Sequence, residues 1–165
     1  MEINMTEYNR IEAVRYADRW AKDRNPRYYD FEHIGGDCTN FISQCLFAGS
    51  GKMNYSRENG WYYSGANDRS PSWTGVGFLR KFLLLNKKAA VFAREIRLSD
   101  VQIGDVIQLK RDGKYYHSLF VTEVSFPAIP ENVRINTHTY DSYKRRLSSY
   151  ENYDSFSVLH IMGVL

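Results

Sequence analysis

A chain of 165 residues, 43% hydrophobic and 25% charged, is long enough to build one packed core and too short for two, and no long Gly/Ser, Pro or single-sign run marks a linker or a disordered tail. Residues 1–165 therefore read as a single domain, expected to be a monomer. A formal charge of +3 leaves the surface only mildly basic, and the longest apolar runs, Phe82 to Leu85 and Ala89 to Ala93, fall far short of the ~18 residues that a membrane span requires.

The opening stretch from Met1 to Glu7 is acidic and lacks the basic flank and apolar run of a secretory signal, so the expectation is a cytoplasmic protein or a domain cut from a larger one. Ile11, Val14, Ala17, Trp20 and Ala21 recur at helical spacing and predict a first helix from about Tyr8 to Lys22, with Thr6 as its cap and Asn25-Pro26 ending it. A second helix is predicted from Asp37 to about Phe47. It carries Phe41, Ile42, Cys45 and Leu46 at offsets of three, four, seven and eight from Cys38, so Cys38 begins the buried stripe.

The stretch from Gly49 to Pro71 has no period. It is longer than the ~12 to 15 residues beyond which an unstructured loop tends to be functional, and it carries Trp61, Tyr62 and Tyr63. With Trp73 just beyond, these aromatics either line a groove for an extended polar ligand or roof the core. A third helix is expected from Ser72 to about Leu85, with Ser72 as its cap.

Past residue 95 the period becomes strand-like. Val106 to Leu109 and Tyr115 to Val124 flank the turn Asp112-Gly113 as a hairpin, and further strands are expected at Val133 to Thr139 and Ser157 to Val164. Helices followed by antiparallel strands predict an α+β fold in which the second helix packs on the sheet.

Two positions stand out chemically. Cys38 follows Gly35-Gly36-Asp37 at a helix N-terminus, where the helix dipole and the free N–H groups of the first turn stabilise a thiolate and the Cys38 N–H is available to an oxyanion. Cys45 lies seven positions on, about 10.5 Å along the helix, too far to bridge to Cys38. His117 shares a strand face with Leu119 and Val121, which is expected to be the face turned to the second helix, and a histidine there suits a general base. Its orienting partner is sought among His138, Asp141 and Asn136, in that order.

No pair of Cys or His residues has C-x-x-C or H-E-x-x-H spacing, so neither a metal nor another cofactor is expected. The short basic clusters Lys87-Lys88 and Lys144-Arg145-Arg146 read as solvated faces and not as a nucleic-acid surface.

The run Gly36-Asp37-Cys38-Thr39-Asn40-Phe41-Ile42-Ser43-Gln44 resembles the bacterial putative amidase domain family, as do Gly60-Trp61-Tyr62-Tyr63, Ser72-Trp73-Thr74, Tyr116-His117-Ser118 and Thr137-His138-Thr139-Tyr140-Asp141. The resemblance covers most of the chain. It implies a branch of the papain-like clan, related in plan to NlpC-type and CHAP-type wall hydrolases, with Leu98 to Ile107 entering an antiparallel sheet or half-barrel.

By that resemblance Cys38 is the nucleophile, His117 the base and His138 the polar third member. Asp37, Trp61 and Trp73 are the expected substrate contacts. The implied substrate is a peptide or amide, bacterial cell wall among the candidates, with no cofactor. A catalytically silent wall- or glycan-binding domain using Trp61, Tyr62 and Trp73, or a transferase or thioesterase on the same scaffold, are the competing readings.

Overall fold

The computed structural model describes residues 4–165; the first three residues of the stretch read for a leader lie outside it. It contains four helices, α1 (Arg10–Trp20), α2 (Cys38–Ser50), α3 (Pro71–Thr74) and α4 (Val76–Leu85), among the described residues. The strands are β1 (Tyr63–Gly65), β2 (Asp68–Arg69), β3 (Val91–Ile96), β4 (Val106–Arg111), β5 (Lys114–Val124), β6 (Val133–Thr137), β7 (Ser142–Arg146) and β8 (Ser155–Val164). β1 and β2 make a small ribbon inside the stretch that showed no period. The other six form one antiparallel sheet in the order β3-β8-β4-β5-β6-β7.

The two faces of this sheet bury different sets of side chains. On one face Val106, Phe120, Leu159 and Ile161 pack against α1, α2 and α4, where they meet Ala13, Ala17, Phe41, Ile42, Leu46, Leu79 and Leu83. On the other, Ile107, Leu109, Leu119, Val121, Val133, Ile135 and Val158 are covered by Val101, Ala128 and Leu147 from the connections. Both faces are apolar, which is why strand alternation in the sequence does not reveal the helix side.

α2 runs through the middle of the helix layer and is buried along most of its length, every residue from Cys38 to Leu46 being buried. α1 approaches it closely. A Cβ at Gly49 would lie 2.9 Å from Ala13 Cβ and 2.6 Å from a ring carbon of Tyr8, so glycine there and alanine opposite permit the contact.

Three local expectations are corrected. Asn9, not Thr6, caps α1, its side chain accepting from the Glu12 N–H at 3.0 Å, while Thr6 pairs through its backbone with Val164. The predicted third helix is two helices, broken where Gly75 adopts an extended conformation; Ser70 and Pro71 open the first of them, and the Ser72 hydroxyl donates instead to the Gly60 carbonyl at 2.6 Å. The strand expected through Thr139 ends at Thr137, where a turn begins. β3 and β7, the two edge strands, are additional to those expected.

Candidate active site

The N-terminus of α2 is fixed by a buried carboxylate. Asp37 is the residue before the helix, but its side chain makes no capping bond to the first turn. One oxygen instead accepts from the Phe31 N–H at 2.9 Å and from Asn40 Nδ2 at 2.8 Å, and the other lies 2.5 Å from His138 Nδ1. The preceding Gly36 has φ +96°, and a Cβ there would come within 2.9 Å of Thr139 Oγ1, the same hydroxyl that accepts from the Asp37 N–H at 3.1 Å. The β6–β7 turn thus grips the segment leading into Cys38, and only glycine leaves room for it.

Cys38 is 7% exposed. The backbone N–H groups of Thr39 and Ser118 face its sulfur, and the Thr39 hydroxyl lies 3.7 Å away. Thr39 Oγ1 in turn meets Ser118 Oγ at 3.1 Å, tying the first turn of α2 to β5. Burial pushes the thiol above the ordinary range, and the surrounding donors offset this only in part. The expectation of a lowered thiol is therefore corrected: the burial of Cys38 outweighs the hydrogen-bond donors around it, and the resting sulfur is a thiol.

His117 stands beside Ser118 on β5. It alternates onto the face of Leu119 and Val121, but that face is turned away from α2; Ser118 and Phe120 are the residues that meet the helix layer. The thiol is still close by. The Ser118 carbonyl accepts from Thr137 Oγ1 at 2.8 Å, and its N–H faces Cys38, so both of its backbone groups on the β6 side have partners outside the ladder. Strand N–H groups point in the plane of the sheet, so the sulfur lies beside β5 past the end of β6 at Thr137, next to the residue that follows His117.

His117 is 9% exposed, and its ring makes no hydrogen bond to another described residue, Cys38 included. Burial, helped by the nearby Arg145 charge, pushes it down to about 4, so the resting imidazole is neutral. It lines a cavity of about 460 Å³ together with Tyr116, Tyr150, Arg111 and Arg145.

None of the three residues considered for orienting His117 bonds to it. His138 stacks on Phe41, 4.2 Å between ring centres, and spends both nitrogens on Asp37 and on the Trp20 carbonyl, the latter at 2.8 Å. Asn136 binds Asp18, Thr122 and the Lys144 N–H on the helix side of the sheet. Asp141 forms a two-pronged pair with Arg24 at 2.8 and 3.0 Å. His138 as the third member is thus corrected: it lies on the helix side, coupled to Asp37.

The expected substrate contacts are likewise elsewhere. Asp37, Trp61 and Trp73 are completely buried. Trp61 and Trp73 pack 4.8 Å apart, and their ring N–H groups donate to Ser43 Oγ and Asn40 Oδ1, each at 3.0 Å. They form core and present no surface to a ligand.

Sequence reasoning missed Arg145, Tyr150 and Arg24. Arg145 was read as part of a solvated cluster, and only the pairing of β6 with β7 brings that strand to the cavity. Arg24 pairs with Asp30, Glu32, Asp37 and Asp141, drawing four carboxylates around the helix end. Among the described residues no group of three or more His, Cys, Asp or Glu side chains is arranged to hold a metal ion, and no helix is long and apolar enough to cross a membrane.

The chain is 35% identical over 156 residues to the uncharacterized protein YhbB of Bacillus subtilis (strain 168), covering 92% of this chain and 47% of the relative. It is 31% identical over 99 residues to YjcM of the same organism, also uncharacterized, covering 60% of this chain and 22% of the relative. The chain therefore spans less than half the length of these curated relatives. No solved structure gives a significant match. The family model described as a putative amidase domain matches residues 7–161, and the chain belongs to that family.

Proposed function

We propose that this protein is a cysteine-dependent amide hydrolase built on a papain-like plan, with Cys38 as nucleophile and His117 as base. One observation carries the reading. Thr39 Oγ1 meets Ser118 Oγ at 3.1 Å, so the thiol that opens α2 is held against the strand segment that carries His117, a buried histidine lining a cavity. Membership of the putative amidase domain family supports the amide as the bond attacked.

The chemistry follows from the resting charges. Cys38 and His117 are both neutral, so the imidazole takes the thiol proton as the sulfur attacks the amide carbonyl, in place of a preformed thiolate–imidazolium pair. The carbonyl oxygen gains negative charge, for which the N-terminal end of α2 supplies N–H donors and a favourable dipole. The imidazolium then gives its proton to the departing amine, leaving a thioester. Water, deprotonated by the same imidazole, adds to the thioester; the acid departs, and the proton returns to Cys38. No cofactor enters the cycle.

Bacterial wall peptides are the first substrates to try. Incubating them and a panel of peptide amides with the protein, and following amine release, is expected to show turnover that is lost in Cys38→Ala and in His117→Ala, with the acyl group found on Cys38 by mass spectrometry in the wild type. Full turnover by either variant overturns the scheme. A ligand-binding module using Trp61 and Trp73 has no support in their burial.

A further inference from the structure

We infer that the cavity beside His117 receives a carboxylate group of the substrate and that Arg145 is its anchor. This rests on the reading of Cys38 as the attacking group. The cavity is lined by two arginines, Arg111 and Arg145, and by one carboxylate, Glu151. No ion pair involves either arginine among the described residues.

Both arginines are braced from behind. The Arg145 guanidinium lies 3.8 Å over the Tyr150 ring, with Nε donating to Ser149 Oγ at 2.7 Å and Nη2 to the Ser149 carbonyl at 3.2 Å, which leaves Nη1 without a protein partner. The Arg111 guanidinium lies 4.2 Å over the Tyr116 ring, and its Nη1 donates to the Asn152 carbonyl at 3.1 Å. Guanidinium groups stacked and tethered in this way have already lost most of the freedom that binding a carboxylate would cost them. The Tyr150 hydroxyl adds a second signal: it is buried, its polar neighbours Ser142 and Arg145 do not meet it in good hydrogen-bond geometry, and such an atom is usually costly unless something supplies a better partner.

The anchor is coupled to the chemistry. Arg145 is the charge that helps hold His117 neutral, with Glu151 and Arg111 the other charged groups lining the cavity. A carboxylate paired with Arg145 offsets that positive charge, and His117 then accepts the Cys38 proton more readily. The binding of the right substrate thereby strengthens the base next to it.

The test compares alkylation of Cys38 by N-bromoacetyl-glycine and by its carboxamide, read by site-resolved mass spectrometry and normalised to the same pair of reagents on glutathione. The normalised acid-to-amide ratio is expected to be about tenfold or more in the wild type, the least that a charge-assisted hydrogen bond gives. It should fall to the glutathione value in Arg145→Gln and recover in part in Arg145→Lys, a variant that also serves if the glutamine form does not fold. A wild-type ratio equal to that of glutathione, or one that survives both substitutions, overturns the carboxylate anchor while leaving Cys38 as nucleophile. If neither reagent modifies Cys38 in the folded protein, the nucleophile reading falls and the anchor falls with it.

Discussion

His138 Nδ1 lies 2.5 Å from Asp37 Oδ2, and both side chains are buried. The other ring nitrogen lies 2.8 Å from the Trp20 carbonyl, which can only accept, so His138 bridges α1 and the residue before α2. This pair ties α1, the start of α2 and the β6–β7 turn to one point. Its role in the proposed chemistry is to place Cys38, not to touch the substrate.

Removing either partner strands the other in the interior. His138→Ala and Asp37→Ala are each expected to lower the free energy of unfolding by about 3 to 5 kcal/mol, the usual cost of breaking a buried charged or proton-sharing pair. Urea denaturation measures this. A loss below about 1 kcal/mol in both variants would show that the contact does not hold the helix end.

The thiol itself offers a pH test. Because burial raises Cys38, its alkylation by iodoacetamide should be slow at neutral pH and climb through a midpoint above the ~8.5 of a free thiol. Thr39→Val removes the hydroxyl at 3.7 Å that favours the thiolate, and should move the midpoint higher still. A wild-type midpoint below 8.5 would mean that the helix end outweighs burial after all.

His117 links stability to pH. Its ordinary value of 6.5 falls to about 4 in the folded chain, so between these values the unfolded chain binds a proton that the folded chain refuses. The contribution is fully present above about pH 6.5 and is lost as the pH falls toward 4, a change of roughly 3 kcal/mol at about 1.4 kcal/mol per pH unit. His117→Gln lacks the titration. The difference in unfolding free energy between wild type and this variant should therefore shift against the wild type from pH 7 to pH 4. A difference that stays constant over that range would show that His117 takes up its proton in the fold as readily as in the unfolded chain.

Why some of this was legible in the sequence and some not comes down to range. The Cys38 helix and the Asp112-Gly113 hairpin announce themselves through local period and turn chemistry, and Asp112 and Gly113 do take the positive φ, +51° and +78°, that such a two-residue turn needs. The side of β5 that meets α2 is not a local property. Leu119 and Val121 look like the core face, but Phe120 is equally buried, and only the helix layer decides which face His117 shares. The same limit hid Arg145 behind its charged neighbours. It also left open whether Trp61 and Trp73 line a groove or fill the core, because composition does not separate a wall from a roof. His138 was singled out for the right chemistry but assigned to the wrong partner, since strand parity alone did not say that Asn136 and His138 turn toward the helices.

Asn40 is where the aromatic core and the candidate site meet. Its Oδ1 accepts from Trp73 Nε1, and its Nδ2 donates both to Asp37 and to the Tyr29 carbonyl at 2.9 Å, so one buried amide carries packing information to the residue before Cys38. Trp73→Phe keeps most of the ring volume but leaves the Asn40 oxygen without its donor, at an expected cost of about 1 to 3 kcal/mol. Trp73→Ala adds a cavity and should cost about 3 to 5 kcal/mol. In a double-mutant cycle, Asn40→Leu is expected to make the Phe substitution much cheaper than it is in the wild type, because the acceptor it strands is already gone. Additive losses in urea denaturation would break the link between Trp73 and the start of α2.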